Sequence, residues 1–189
     1  TMAEFIQCPD CRHEYEDPYD RRFHAQPNAC PACGPKLSFY IGGELRRGDP
    51  YALFSEYINK GMIVAVKGIG GYHLACDAKN EDAVARLRER KIRYDKPFAL
   101  MMRDIDTVRR FCQVDKEEEA ALTCARKPIV LLKKKEDCTI AESAAPNNNR
   151  LGVMLPYTPL HCILMQNFDA LILTSANLSD RPMIYDDHE

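Results

Sequence analysis

The sequence opens with Cys8-Pro9-Asp10-Cys11 and repeats the pattern as Cys30-Pro31-Ala32-Cys33 after a gap of eighteen residues. Two C-x2-C pairs at this spacing predict one Zn2+ site rather than a scatter of core thiols. In each pair a tight turn lets two sulfurs converge on one ion. The second pair completes a tetrahedron with bonds of about 2.3 Å. Four thiolates leave no open coordination position, so the zinc is expected to be structural. The site also constrains the fold around it. Residues 1–40 carry few aliphatic side chains, and metal binding must supply stability that burial alone does not. His24, between the pairs, is an alternative ligand to one of the thiols.

The chain has 189 residues, enough for one ordinary domain beside a small module. A net charge of −2 gives no global attraction to nucleic acid or to a membrane. No apolar run reaches the length of a bilayer span, and no signal-peptide pattern opens the sequence. Beyond the four ligands, Cys76, Cys112, Cys124, Cys138 and Cys162 are scattered and odd in number, which suits reduced thiols in the cytoplasm. The Thr1-Met2 start directly before a metal module, and a C-terminus without a helix stop or strand end, suggest a segment of a longer chain.

The organisation predicted is a zinc module over 1–40, a polar glycine-bearing linker over 41–48 and a second domain over 49–189. Asp49-Pro50 opens a helix that Gly61 closes. Strands are expected at 62–66, 72–76, 97–102, 128–132, 151–155 and 170–174, each a short apolar run. Helices are expected at 80–91, 104–112, 115–125 and 158–167, two of them opened by an aspartate. Residues 136–149 read as an exposed loop. Strands alternating with helices predict an α/β layered domain.

Three stretches can carry chemistry. Lys67-Gly68-Ile69-Gly70-Gly71-Tyr72-His73 follows a strand, and its glycines either make a turn or admit a ligand to the backbone. It is neither a Walker loop nor a dinucleotide fingerprint. Residues 86–96 hold six cations in eleven positions. Lys91, Arg93 and Lys96 can converge on a triphosphate, or the run is a solvated helix face. Ser175 and Asn177 end an apolar strand, where α/β proteins bind ligands, although a Ser/Asn turn has the same composition. No G-x-S-x-G elbow supports Ser175 as a nucleophile.

Together, Cys8-Pro9-x-Cys11, Asp17-Pro18, Asp20-Arg21-Arg22-Phe23-His24-Ala25-Gln26-Pro27 and Ala29-Cys30-Pro31-x-Cys33-Gly34-Pro35 resemble the hydrogenase maturation carbamoyltransferase family, HypF. Residues 67–78, 91–101 and 174–177 resemble that family's YrdC-like domain. The resemblance covers nearly the whole chain. It implies the second zinc unit and the front part of a YrdC-like twisted mixed sheet with flanking helices, truncated at its C-terminus. In such a multidomain enzyme, carbamoyl phosphate yields carbamate in another domain. The YrdC-like domain joins carbamate to ATP, supplied with Mg2+, as carbamoyl adenylate. The carbamoyl group then passes to the C-terminal cysteine of a hydrogenase maturation partner protein, where it becomes the source of cyanide for the nickel–iron centre.

The K-x-R and S-x-N signature of YrdC-like proteins is matched by Lys91-Ile92-Arg93 and Ser175-Ala176-Asn177. It implies phosphate contacts for Lys91 and Arg93, hydrogen bonds to the nucleotide from Ser175 and Asn177, and Lys96 as a helper. Relatives that make threonylcarbamoyl adenylate for transfer RNA resemble P-T-E-T-x-Y-G-L at the loop. Here both threonines are glycines, Gly68 and Gly70, and a cation at Lys67 with a donor at His73 would suit carbamate as the catalytic pair. The alternatives are such a tRNA-modifying enzyme, or a zinc knuckle beside a basic groove that holds RNA. The negative net charge and sparse aromatics over 1–40 argue against nucleic acid as a partner.

Overall fold

A computed structural model describes residues 6–177 and 181–187. The chain divides into two compact units, Thr1–Pro50 and Tyr51–Glu189.

In the smaller unit, helix α1 (Pro9–Glu16) starts on the first knuckle, with Cys8 as its N-cap and proline at the first turn. Asn28 donates its side-chain N–H to the Cys11 carbonyl at 2.8 Å, tying the second knuckle's approach to this helix. Strands β1 (Phe39–Ile41) and β2 (Glu44–Arg46) pair antiparallel. Gly42 and Gly43 both have positive φ, 59° and 85°, as a two-residue primed hairpin turn requires. The stretch expected as a bare linker over 41–48 therefore carries strand. Among the described residues up to Pro50, Cys11 and Asn28 are the buried ones. The described residues of this unit form no apolar core, in keeping with its four-thiol chemistry.

The larger unit runs α2 (Pro50–Asn59), β3 (Val64–Lys67), β4 (Tyr72–Asp77), α3 (Glu81–Arg90), β5 (Ala99–Met102), α4 (Ile105–Phe111), α5 (Lys116–Thr123), β6 (Val130–Lys133), β7 (Arg150–Met154), α6 (Pro159–Leu164) and β8 (Ala170–Ser175). Its six strands form one mixed sheet in the order β3-β4-β8-β5-β7-β6. Only β5 and β7 run parallel. The last strand in sequence lies in the middle of the sheet. Ala170 to Thr174 are all buried, which is why β8 reads as a continuous apolar run. Helix starts follow their caps: Asn80, Asp104, Asp115 and Thr158 each accept from a backbone N–H of the first turn. Asp115 and Glu118 complete a capping box.

Residues 136–149 depart from expectation. Ile140, Ala141, Ala144 and Ala145 are buried in the core, around a 3-10 turn at Glu142–Ala144. Ala141 donates its N–H to Ala78 O at 2.9 Å, and Ala144 O accepts from Phe98 N at 2.8 Å. The alanines let the backbone lie against the core. The polar residues on either side gave the segment its loop-like composition.

His161 on α6 is 3% exposed, and its Nδ1 is buried without a hydrogen-bond partner. Burial, then the nearby His73, pushes its pKa down to about 4. The unfolded chain therefore binds a proton near pH 6.5 that the folded chain refuses until about pH 4. Stability is complete above pH 6.5 and falls on acidification towards pH 4, by up to about 3 kcal/mol. Urea unfolding of the wild type and His161→Gln should show this slope weakened in the variant. Identical slopes would remove His161 as its source.

Candidate functional site

The four thiols of Cys8, Cys11, Cys30 and Cys33 lie within 4.8 Å of one another. Cys8 and Cys30 Sγ are 3.6 Å apart, and Cys30 and Cys33 Sγ 3.9 Å. A zinc tetrahedron with 2.3 Å bonds has edges of about 3.8 Å, so the donor set fits the ion. Hydrogen bonds from the backbone of Cys8 and Cys30 bring the Cys33 thiol down to about 6, while burial pushes Cys11 up. A bound dication would replace the thiol protons and hold the two knuckles together. His24 lies outside this group. Its ring stacks on Phe23 at 4.1 Å and on Tyr15 at 5.2 Å.

In the larger unit, the end of α3 meets the end of β8. Lys91 is the C-cap of α3, and its Nζ donates to Ser175 O at 2.7 Å, Asn177 O at 2.9 Å and Asn177 Oδ1 at 3.2 Å. Ser175 Oγ in turn donates to Asn177 Oδ1 at 2.7 Å. The K-x-R and S-x-N residues, 84 positions apart at Lys91 and Ser175, thus form one hydrogen-bonded corner. Here the three ammonium donors bind the turn after β8 directly. Arg93 donates to Lys96 O at 3.1 Å, to Pro97 O at 2.7 Å and to Thr174 Oγ1 at 3.3 Å. Burial lowers the pKa of both Lys91 and Arg93, and Arg93 adds to the effect on Lys91. Two partly buried cations thus lie close enough at the end of β8 for one to weigh on the other's charge. Lys96 is exposed, and its carbonyl serves the loop geometry.

Lys67 and His73 do not converge. Lys67 pairs across to Tyr72, and Val66 to His73. Cross-strand partners share a face and successive residues alternate, so Lys67 and His73 point to opposite faces of the β3–β4 hairpin. Lys67 Nζ pairs with the Asp187 carboxylate, which also accepts from Tyr72 Oη at 2.7 Å. That ion pair raises the Lys67 pKa. His73 faces the other way with its register partner Ser175. Its Nδ1 is buried without a hydrogen-bond partner, and burial lowers the pKa of the ring.

The chain returns over the glycine loop. Tyr72 N donates to Ile184 O at 2.7 Å, Ile184 N to Ala176 O at 3.0 Å, and Asn177 Nδ2 to Arg181 O at 2.7 Å. This return brings Ile184 O so close to Gly71, at φ +138°, that a Cβ there would stand 2.5 Å from it. Gly71→Ala must therefore displace residues 183–184 and strain the backbone, at a cost of about 1–3 kcal/mol. Thermal unfolding together with amide exchange at Tyr72 checks this. An unchanged melting temperature and a protected Tyr72 amide would contradict it.

Arg88, Tyr72 and Asp187 are site residues that the sequence reading did not single out. Arg88 had a signal: it lies four residues after Val84, on the apolar face of α3. Tyr72 and Asp187 meet across 115 positions, a distance that local pattern does not bridge.

Comparison with known proteins bears on these two units separately. The Sua5/YciO/YrdC family model, described as telomere recombination, matches residues 56–189, and the HypF finger model matches residues 7–40. The carbamoyltransferase HypF of Rhodobacter capsulatus is 51% identical over all of this chain and a quarter (25%) of its own. A crystal structure of full-length HypF in a phosphate- and nucleotide-bound form superposes with a TM-score of 0.84 at 46% identity, covering 100% of this chain and 25% of that one. Sua5 of P. abyssi, complexed with L-threonine, has a TM-score of 0.64 at 22% identity over 74% of this chain and 42% of its own, a likeness of fold. The chain therefore spans about a quarter of the length of the HypF proteins it matches. The comparisons give the RNA-module reading no support. Among the described residues no helix is long and apolar enough to cross a membrane. With a HypF finger joined to a six-stranded sheet of matching fold, the chain belongs to the Sua5/YciO/YrdC family and corresponds along its whole length to a segment of the HypF carbamoyltransferases.

Proposed function

We propose that this chain is the finger and adenylate-forming part of a hydrogenase-maturation carbamoyltransferase. Its larger unit would join carbamate, derived from carbamoyl phosphate, to ATP with Mg2+, releasing pyrophosphate. The carbamoyl group would go on to the C-terminal cysteine of a maturation partner protein, with other domains of the parent supplying the steps before and after. The observation that carries this reading is the corner in which Lys91, Arg93, Ser175 and Asn177 meet at the end of β8. Fixed cations stabilise the charge that develops on the triphosphate during adenylyl transfer. A HypF relative has been crystallised in a nucleotide-bound form, which supports the same assignment.

His73 would hydrogen-bond the carbamate beside the nucleotide; its sharing a face with Ser175 supports this reading. Lys67 contributes indirectly, holding Asp187 across the glycine loop. The amino-acid pocket of threonylcarbamoyl relatives is disfavoured sterically. A Cβ at Gly68 would meet the His73 ring at 3.0 Å, so the imidazole occupies that space. The five cysteines outside the finger are free thiols, in keeping with a reducing cytoplasm.

The test is carbamoyl-phosphate-dependent ATP–pyrophosphate exchange by the full-length protein. Asn177→Ala should lower exchange by about tenfold to a hundredfold, the effect of losing hydrogen bonds to a charged group. Wild-type exchange that is absent, or that proceeds equally without carbamoyl phosphate, would refute the reaction.

A further inference from the structure

The loop between α3 and β5 carries Lys91, Arg93 and Lys96, yet it has no regular structure of its own. What shapes it is Arg88. This residue projects from the last turn of α3 and is 9% exposed. Its Nη1 donates to Arg93 O at 2.6 Å, Tyr94 O at 3.3 Å and Lys96 O at 3.2 Å. On the other side, Nε and Nη2 donate to Ser143 O at 2.8 and 2.6 Å, and Nη2 reaches Ala144 O at 3.3 Å. Its guanidinium lies 4.6 Å from the Phe98 ring centroid, and that of Arg93 lies 4.9 Å from the same ring.

These hydrogen bonds run to neutral carbonyl oxygens. Burial and the neighbouring Arg93 both disfavour the charge on Arg88, which only Asp95 and Glu81 offset from a distance. A buried cation beside another cation costs stability. An uncharged hydrogen-bonding residue would serve a purely structural role at lower cost. The arrangement has a different consequence. The carbonyls of Arg93 and Tyr94 turn inward onto Arg88, and that of Lys96 is shared between Arg88 and Arg93, so their negative ends are met by guanidinium donors rather than presented to an incoming anion.

We propose that Arg88 is a positioning residue for the triphosphate: it folds residues 91–97 around its guanidinium so that the Lys91 and Arg93 side chains reach the β8 corner while the carbonyls of residues 93, 94 and 96 are held by guanidinium donors. The inference rests on the nucleotide reading above. Lysine cannot replace it, because an ammonium has three donors at one point where the guanidinium has five in a planar fork.

The experiment is calorimetric titration of the full-length protein with a non-hydrolysable ATP analogue and Mg2+, and separately with adenosine, for the wild type and Arg88→Lys. Circular dichroism establishes the folded fraction. The variant should bind the ATP analogue about tenfold or more weaker, while adenosine affinity stays within about twofold. A merely structural role would move both ligands together. If Arg88→Lys fails to fold, Phe98→Leu takes its place. It withdraws the ring beneath both guanidiniums and leaves the carbonyl contacts, and it should show the same selective loss to a smaller degree. Equal loss for both ligands, or none, overturns the inference alone. A wild type that binds no ATP analogue overturns the nucleotide reading and this inference with it.

Discussion

Cys11→Ser, or removal of the metal with a strong chelator, is expected to unfold residues 6–50 and to leave the larger unit folded. Cys11 is the one buried apolar side chain among the described residues of that segment. The described residues of the segment offer no hydrophobic alternative to the metal. Metal-linked folding of small thiolate modules is worth about 10–16 kcal/mol, far more than a hairpin of two three-residue strands and an eight-residue helix can supply. By contrast, the larger unit has a continuous core from Cys76 to Ile172, including Phe98, Leu100, Leu132 and Leu151. Amide exchange resolves the two. Protection of His24 N and Gly34 N, which bond to Tyr15 O and Cys30 O, should vanish, while that of β8 persists. Retained protection in the finger after complete zinc loss would contradict the account.

Lys91→Ala is expected to reduce affinity for ATP by about tenfold to a hundredfold. The ammonium joins the end of α3 to Ser175 and Asn177, so its loss removes a cation from the site and releases the turn that carries the S-x-N residues. For the same reason Lys91→Ala and Asn177→Ala should be non-additive. The side chains touch at 3.2 Å, and either substitution alone breaks the shared network. A double variant that loses the sum of the two single effects would mean that they act separately.

The zinc module was legible because ligand spacing is a short-range signal: two residues between thiols are enough to specify a shared ion. Helix starts were legible for a similar reason, since Asp104 and Asp115 cap locally. The sheet was legible as a set of apolar runs, but its order was not, and β8 lies between β4 and β5 through pairings made across the whole unit. The proposal of a nucleotide at the α3–β8 corner came from the family resemblance. From the residues alone, the cations of 86–96 read more readily as a solvated helix face than as a phosphate site.

Failures of the sequence reading have physical causes. Lys67 and His73 are near in sequence, but a two-residue period and the Lys67–Tyr72 register set them on opposite faces. Residues 136–149 look polar, yet Ala141, Ala144 and Ala145 are small enough to pack as backbone against the core. Arg88 is indistinguishable by composition from Arg86 and Arg90. Only its phase on α3 places it inside, against carbonyls that come from residues 93–96 and 143–144.

The central claim is that the meeting point of α3 and β8 is a nucleotide site. The direct measurement is titration of the zinc-loaded full-length protein with a non-hydrolysable ATP analogue and Mg2+, in the wild type, Lys91→Ala and Asn177→Ala. The account predicts saturable binding by the wild type that both substitutions weaken by about tenfold or more while the proteins stay folded. Unchanged affinity in both folded variants would place the nucleotide elsewhere and contradict it.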